Sequence, residues 1–276
     1  MRFLTVFIGL LLIIIVSIVV IQSYFETPIT DKEIHRAKPA FDLVYMNLDR
    51  NLKRTKHMKK LLKVVGIETY RRFRAVDGKQ LYKNDSYLKS FNQSKNIKFD
   101  INLNDDSKRA TKATWLSYLF LFKDFAASSS NQSLLTLEDD VDIEVDFVRL
   151  LNDSMMKAPP DWDILLCGYC CLKEMEDKKV LNNIWTPVMS FATTHCFVVR
   201  NSTVASFIAT KADVKVVKQP IDLFISKMAP SKQLNIYALK NKIAIQEREI
   251  FETDNPDSGK ITDEQELENS AILNAI

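Results

Sequence analysis

The chain has 276 residues, of which 46% are hydrophobic and 26% charged, and a formal net charge of +3. That length and apolar content suffice to bury the core of one main domain, whereas basic residues scattered among acids at so small a net charge exclude a dedicated nucleic-acid surface. Only five glycines occur, Gly9, Gly66, Gly78, Gly168 and Gly259, so neither GxGxxG nor GxxxxGK[ST] is present and the glycine-rich phosphate cradles of dehydrogenases, kinases and P-loop NTPases are excluded.

In chain order, the first element is the run from Phe3 to Ile21, nineteen residues without a charge. It is long enough for one bilayer crossing and longer than the apolar part of a cleavable signal peptide, and the exit IQSYFETP has no small-x-small cleavage site. We expect a cytoplasmic tip and signal-anchor helix over residues 1–24, then a polar stem over 25–39 ending at Pro39. Lys32, Arg36 and Lys38 follow the apolar run and Arg2 precedes it, so charge bias fixes orientation poorly. The large domain behind a two-residue tip suggests a single-pass type II arrangement. Sequons at Asn84, Asn92, Asn131, Asn152 and Asn201 fit a lumenal or extracellular domain.

The globular part, residues 40–253, opens with FDLVYMNL, a strand by its β-branched and aromatic content. The next segment, NLKRTKHMKKLLKVVG, places Leu52, Met58, Leu61, Leu62 and Val65 at helical spacing, with Gly66 as its stop. A second strand, about Thr69 to Ala75, leads to the turn Asp77-Gly78. Strand, helix, strand predicts an α/β sheet with crossover helices. Residues 79–108 are polar and weakly patterned and read as a mobile loop over a site. Ala113 to Ala127 is a buried helix, which delivers the chain to SLLTLEDD. A helix from Phe147 to Met156, a strand at DWDILLC and one or two strands in WTPVMSFATTHCFVVR follow. From Asp254 to Ile276 the sequence is acidic and thin in large apolar residues, which predicts a loosely ordered tail. Cys167, Cys170, Cys171 and Cys196 include a CxxC. Zinc would want a second CxxC or an HxxxH, and a redox site a helix N-terminus, so buried thiols or lumenal disulfides are expected instead.

The acids of LLTLEDDVDIE pose the chemical question. VDIEVDF alternates strictly, which makes Asp142, Glu144 and Asp146 the wet face of an edge strand. Glu138, Asp139 and Asp140 instead end the apolar run LLTL, the pattern of a central strand whose carboxyl end faces ligands in open α/β sheets. Two ionised carboxylates about 4 Å apart repel by roughly 4 kcal/mol at an effective dielectric of 20, so the triplet needs water, basic partners or a cation. Oxygen ligands there suit Mg²⁺ or Mn²⁺. An EF-hand starting at Asp140 fails, because Val145 stands where Gly is needed and Leu151 where Glu is needed.

FDLVYMNLDRNLKR, RRFRAVDG, LEDDV and DWDILLCG occur in that order over roughly residues 41–250. Together they resemble glycosyltransferase family 25, the group that contains lipooligosaccharide and collagen hydroxylysine galactosyltransferases. The resemblance implies a GT-A type, Rossmann-like fold that binds a nucleotide sugar without a glycine-rich loop. It implies Asp140 as chief ligand of Mn²⁺ or Mg²⁺, with Glu138 and Asp139 helping to hold the metal and the donor ribose. Asn47, Arg50 and Asp77 match positions that line the nucleotide pocket. The implied reaction is transfer of a hexose, galactose from UDP-galactose, with inversion onto a glycan or glycoprotein hydroxyl in the Golgi or endoplasmic reticulum lumen. The candidates for the base that takes the acceptor proton are Asp222, in QPIDLF, which the resemblance suggests, and His195. One departure bears on activity: the family's Gly-Cys-x-x-Ser-His segment is Ala113-Thr114-Trp115-Leu116-Ser117-Tyr118 here. Tyr118 donates a hydrogen bond but cannot act as an imidazole, so the alternative is a catalytically degenerate, transferase-like lumenal binding protein.

Overall fold

The computed structural model describes residues 41–81, 87–91, 109–128, 132–175, 183–213, 217–247, 250–251, 267 and 269–272. The expected anchor and stem lie outside the described residues, as do most of the 79–108 loop and of the acidic tail. Among the described residues no helix is long and apolar enough to cross a membrane.

The elements are β1 (Phe41–Asn47), α1 (Leu52–Val64), β2 (Arg71–Arg74), α2 (Gly78–Leu81), α3 (Arg109–Ala127), β3 (Ser133–Glu138), β4 (Val141–Ile143), α4 (Phe147–Met155), β5 (Ile164–Glu174), β6 (Trp185–Val199), α5 (Ser202–Ala212), α6 (Ile221–Ser226), β7 (Ile236–Leu239) and β8 (Ala244–Gln246). Six strands form one sheet in the order β2-β1-β3-β6-β5-β7, and β4 pairs with β8 in a separate two-stranded sheet. β1 is parallel to β2 and β3, and β5 is parallel to β7, while β6 runs antiparallel to both β3 and β5. The sheet is therefore mixed but mostly parallel, and WTPVMSFATTHCFVV is one fifteen-residue strand.

Strand alternation divides the core between two faces. Leu134 of β3 joins Val44, Leu166 and Phe197 under Tyr118, Leu119 and Phe122 of α3. Leu135 and Leu137 join Leu43, Tyr45 and Val198 under Met58, Leu61 and Leu62 of α1. Gly66 ends α1 with φ of 73°, and the Ile67 amide donates back to the Leu62 carbonyl. This is the left-handed stop that a glycine permits without steric penalty. α3 is apolar nearly all round because it is covered twice. Its second face, Ala113, Leu116 and Phe120, packs on Val76, Leu81 and Phe91. Two residues of the weakly patterned 79–108 segment are thus anchored in a small core of their own.

α1 and α3 lie on opposite faces of the sheet, and β2 and β3 flank β1 on opposite sides. The chain order therefore reverses between β1 and β3, and open α/β sheets offer a crevice outside the carboxyl ends of such strands. Met46 of β1 is in register with Glu138 of β3, so this crevice opens directly on the acidic triplet.

Two expectations are corrected on the far side of that triplet. Asp142 and Glu144 are buried rather than wet, with 3% and 6% exposure, and only Asp146 of the alternating acids is exposed. The two carboxylates hold the end of the chain. Asp142 accepts hydrogen bonds from the amides of Ile143 (2.8 Å) and Ile272 (3.1 Å) and from Ser270 Oγ (2.5 Å). Glu144 accepts from the amide of Asn269 at 2.9 Å. Ala271 and Ile272 enter the α1-face core, so residues 269–272 are docked rather than loosely held.

Asp142→Ala leaves two amides and a hydroxyl without their acceptor, and buried donors stranded in this way cost about 1–3 kcal/mol. We expect a urea midpoint lowered to match, with m unchanged; an unaltered midpoint would mean that this carboxylate does not hold the terminus.

Candidate active site

The period of two that builds the core also splits the acidic triplet. Glu138 continues the Leu134–Thr136 face and meets α3, while Asp139 continues the Leu135–Leu137 face and meets α1. Asp139 Oδ1 accepts a hydrogen bond from Arg54 Nη1 of α1 at 2.8 Å, and its Oδ2 accepts one from Asn47 Nδ2 at 2.6 Å. The same guanidinium nitrogen lies 3.1 Å from Asp140 Oδ2, which also accepts Gln246 Nε2 at 3.1 Å. The Asp140 backbone is fixed too, its carbonyl accepting the Glu247 amide at 2.7 Å. Asp140 Oδ1 alone of these atoms is buried with no hydrogen-bond partner. Burial, partly offset by Arg54, raises the Asp139 carboxyl above its ordinary value.

On the other face, Glu138 Oε1 accepts Thr194 Oγ1 at 2.9 Å and lies 3.0 Å from the Tyr118 hydroxyl. That hydroxyl is also 2.9 Å from the Thr194 carbonyl, so one phenolic proton faces two acceptors. A proton on Glu138 relieves the shortage. Burial first and the Asp140 charge second push the Glu138 carboxyl up to about 7, against the lowering effect of the Thr194 and Tyr118 hydrogen bonds. Burial and the Glu138 charge hold Tyr118 well above the ordinary phenol range, so it remains a neutral donor.

The remaining sequence-selected residues ring this centre. Asn47 is 1% exposed and committed: its Oδ1 accepts Thr55 Oγ1 and Arg72 Nε, each at 2.8 Å, and its Nδ2 also donates to the Asn51 carbonyl at 3.3 Å. Arg50 and Asp77 are joined by a 2.9 Å ion pair beyond the ends of β1 and β2, with the arginine side chain 36% exposed. Asp222, in the first turn of α6, accepts the Thr193 amide through Oδ2 at 2.7 Å. Thr193 has φ of 67°, a left-handed conformation that costs a branched residue about 1–3 kcal/mol and persists only where such anchors hold it. His195 is fully buried, with Nδ1 3.0 Å from Thr193 Oγ1. A Cβ added at Gly168 would stand 2.5 Å from the His195 ring, so that ring lies flush against the β5 backbone.

Asn47, Arg50, Asp77, Glu138, Asp139, Asp140 and Asp222 thus gather around the ends of β1, β3 and the middle of β6, while His195 sits beneath. The three acids do not converge: among the described residues, no three His, Cys, Asp or Glu side chains are grouped to hold a metal. Arg54, Thr194 and Gln246 escaped the sequence reading. Arg54 had a usable signal, since it shares the apolar stripe of Met58, Leu61 and Leu62 on α1; Gln246, 106 residues from Asp140, had none.

Arg54→Met strands two buried carboxylates, and breaking a buried ion pair from one side costs about 3–5 kcal/mol. Chemical denaturation should show a loss of that order; a change under 1 kcal/mol, the ordinary range of an exposed pair, would remove Arg54 as the keystone of the site.

Comparison with known proteins identifies the family. The profile of glycosyltransferase family 25 (LPS biosynthesis protein) matches residues 43–244. No curated protein gives a significant match. Among solved structures, the crystal structure of mouse xyloside xylosyltransferase 1 in its apo form is similar at 9% identity and a TM-score of 0.35, over 72% of this chain and 84% of that one. The family match runs from β1 to the first residue of β8 and takes in the acidic triplet, Arg54, Tyr118 and Asp222. The chain belongs to glycosyltransferase family 25 and is a glycosyltransferase.

Proposed function

We propose that the protein is a metal-dependent, inverting hexosyltransferase of GT-A type that uses UDP-galactose as donor and a glycan or glycoprotein hydroxyl as acceptor. The observation that carries the metal reading is the partnerless, buried Oδ1 of Asp140. Among the described residues, three carboxylates stand here against the guanidinium of Arg54, which leaves an excess of negative charge even with Glu138 protonated. Hard oxygen donors of this kind fit Mg²⁺ or Mn²⁺, which typically take one or two carboxylates and draw the other ligands from water and substrate phosphates. Asp140 would hold the ion. Glu138 is the second donor if its proton is displaced, and Asp139, bonded at both oxygens, positions Arg54 rather than ligating. The chemistry supplied by such a cation is Lewis-acid neutralisation of the departing diphosphate.

The chain's own residues account for the rest. Arg50, with its half-exposed guanidinium, and Asp77 line the donor side of the crevice and suit the uridine, ribose and diphosphate. Asn47 acts through Asp139. Tyr118 and Thr194 fix the Glu138 carboxyl, so the hydroxyl that stands where the family has an imidazole serves as a positioning donor. Inversion requires a base within hydrogen-bond reach of the acceptor hydroxyl, to take its proton as the oxygen attacks the anomeric carbon. Half-buried Asp222, with one oxygen on Thr193, supports that role better than His195, whose ring is sealed against Gly168. An anchored type II protein with its domain in the Golgi or endoplasmic reticulum lumen is proposed from the apolar segment Phe3–Ile21 and the sequons.

In a UDP-release assay from UDP-galactose, chelation should abolish turnover and Mn²⁺ restore it, and Asp140→Ala should lower the rate roughly 10²–10³-fold. Equal turnover with and without Mn²⁺, or an Asp140→Ala variant as fast as wild type, would falsify the metal reading. With acceptor present, Asp222→Asn should lower kcat roughly 10²–10⁴-fold, the usual worth of a general base, at unchanged donor KM. A kcat within a few-fold of wild type would rule Asp222 out as base.

A further inference from the structure

Successive side chains of a regular strand point to opposite faces, so neighbouring cysteines on a strand do not meet. On β5 they do: Cys170 Sγ and Cys171 Sγ lie 2.9 Å apart. The cause is in the backbone. Cys171 has φ of 52°, in the left-handed region that residues with a Cβ rarely enter, and the β5–β6 register shifts on either side, between Gly168 and Cys170 and between Cys170 and Lys173. The irregularity breaks the alternation and swings both sulfurs to one side. Cys170 is buried and Cys171 exposed. The CxxC spacing is not what pairs these residues: fully buried Cys167 lies 4.0 Å from the Leu165 carbonyl through its Sγ.

We propose that Cys170 and Cys171 are a redox modification site: a dithiol that closes reversibly to a vicinal disulfide by exchange with small disulfides of the glutathione class. This goes beyond the transferase reading and does not rest on it. The Cys171 thiolate attacks one sulfur of the small disulfide and expels one small thiol, leaving a mixed disulfide on Cys171. Cys170 Sγ, losing its proton, then attacks Cys171 Sγ and expels the second small thiol. The two protein thiols are oxidised, one small disulfide is reduced to two thiols, and the two protons leave with them. Exposed Cys171 is the entry point and buried Cys170 the resolving sulfur. Neighbouring Cα atoms are about 3.8 Å apart across a trans peptide, less than the usual 4.4–6.8 Å of disulfide-linked residues. The eight-membered ring is therefore strained, and strained, exposed disulfides are the readily reduced, regulatory kind. The left-handed φ already present at Cys171 removes part of the rearrangement that closure demands.

The test equilibrates the full chain in a series of glutathione to glutathione disulfide ratios, quenches by alkylation, denatures, and maps peptides after cleavage at Tyr169, which separates Cys167 from the pair. At the oxidising end the peptide holding Cys170 and Cys171 should lose both alkyl labels and two hydrogens in mass, and regain both labels at the reducing end. Cys167 and Cys196 should take label after denaturation throughout. In Cys171→Ser, Cys170 should stay alkylatable after denaturation at every ratio, and in Cys170→Ser glutathione should remain on Cys171. Retention of both labels at the oxidising end, a lasting glutathione adduct on wild-type Cys171, or a disulfide that includes Cys167 or Cys196 would each overturn the proposal.

Discussion

One guanidinium determines how the acidic end of β3 is used. Arg54 lies between Asp139 and Asp140, 2.8 Å from one and 3.1 Å from the other, and is itself buried. A buried ion pair is weak evidence of net stability, because desolvation consumes most of the attraction. Its worth here is positional. Asp139 is closed by Arg54 and Asn47 at both oxygens, whereas Asp140 keeps one oxygen without a protein donor. One acid becomes scaffold and the next keeps chemical capacity, although the sequence presents them as equals.

That division depends on topology. Arg54 reaches β3 because α1 follows β1 after a short connection and covers the face to which Asp139 points, and Tyr118 reaches Glu138 because α3 covers the other face. Were both helices on one face, the triplet would meet both partners on the same side and the reversal of chain order between β1 and β3 would vanish. The ligand crevice and the splitting of the acids are thus two consequences of one fact. Gln246 adds the third restraint from β8, and β8 pairs with β4, the strand whose Asp142 holds the chain's end. Residues 269–272 and the acidic centre are thus both restrained from the β4–β8 sheet.

Much of this was legible in the sequence and part was not, for identifiable reasons. β1, α1, α3 and β3 follow from apolar periodicity, and the site's position follows from an acidic triplet after an unbroken apolar run. Asp142 and Glu144 were misread because alternation records which residues are polar, not what they serve: their oxygens accept from Asn269, Ser270 and Ile272, more than 120 residues on. Arg54 was missed because Lys53, Lys56, Lys59 and Lys60 surround it, and one more cation on such a helix reads as solvated. The sequence singles out the CxxC of Cys167 and Cys170, but the sulfurs that meet are those of Cys170 and Cys171. The actual neighbours arise from a β-bulge that no periodicity announces.

His195 packs on the backbone where that irregular stretch of β5 begins. The imidazole lies where a side chain on residue 168 would be, so that β5 can pass only as glycine, and a Cβ there would also meet the Ala244 carbonyl at 2.6 Å. The β5–β6 register shifts begin beside this glycine, between Leu166 and Gly168. Further along lie two left-handed residues, Cys171 on β5 and Thr193 on β6, close to the Cys170–Ala192 pair. The turn of Thr193 presents its amide to Asp222 and places the next residue, Thr194, with its hydroxyl on Glu138. The buried histidine, the register shifts and the two left-handed residues thus share one stretch of the β5–β6 ladder, the stretch from which Thr193 and Thr194 reach the two carboxylates.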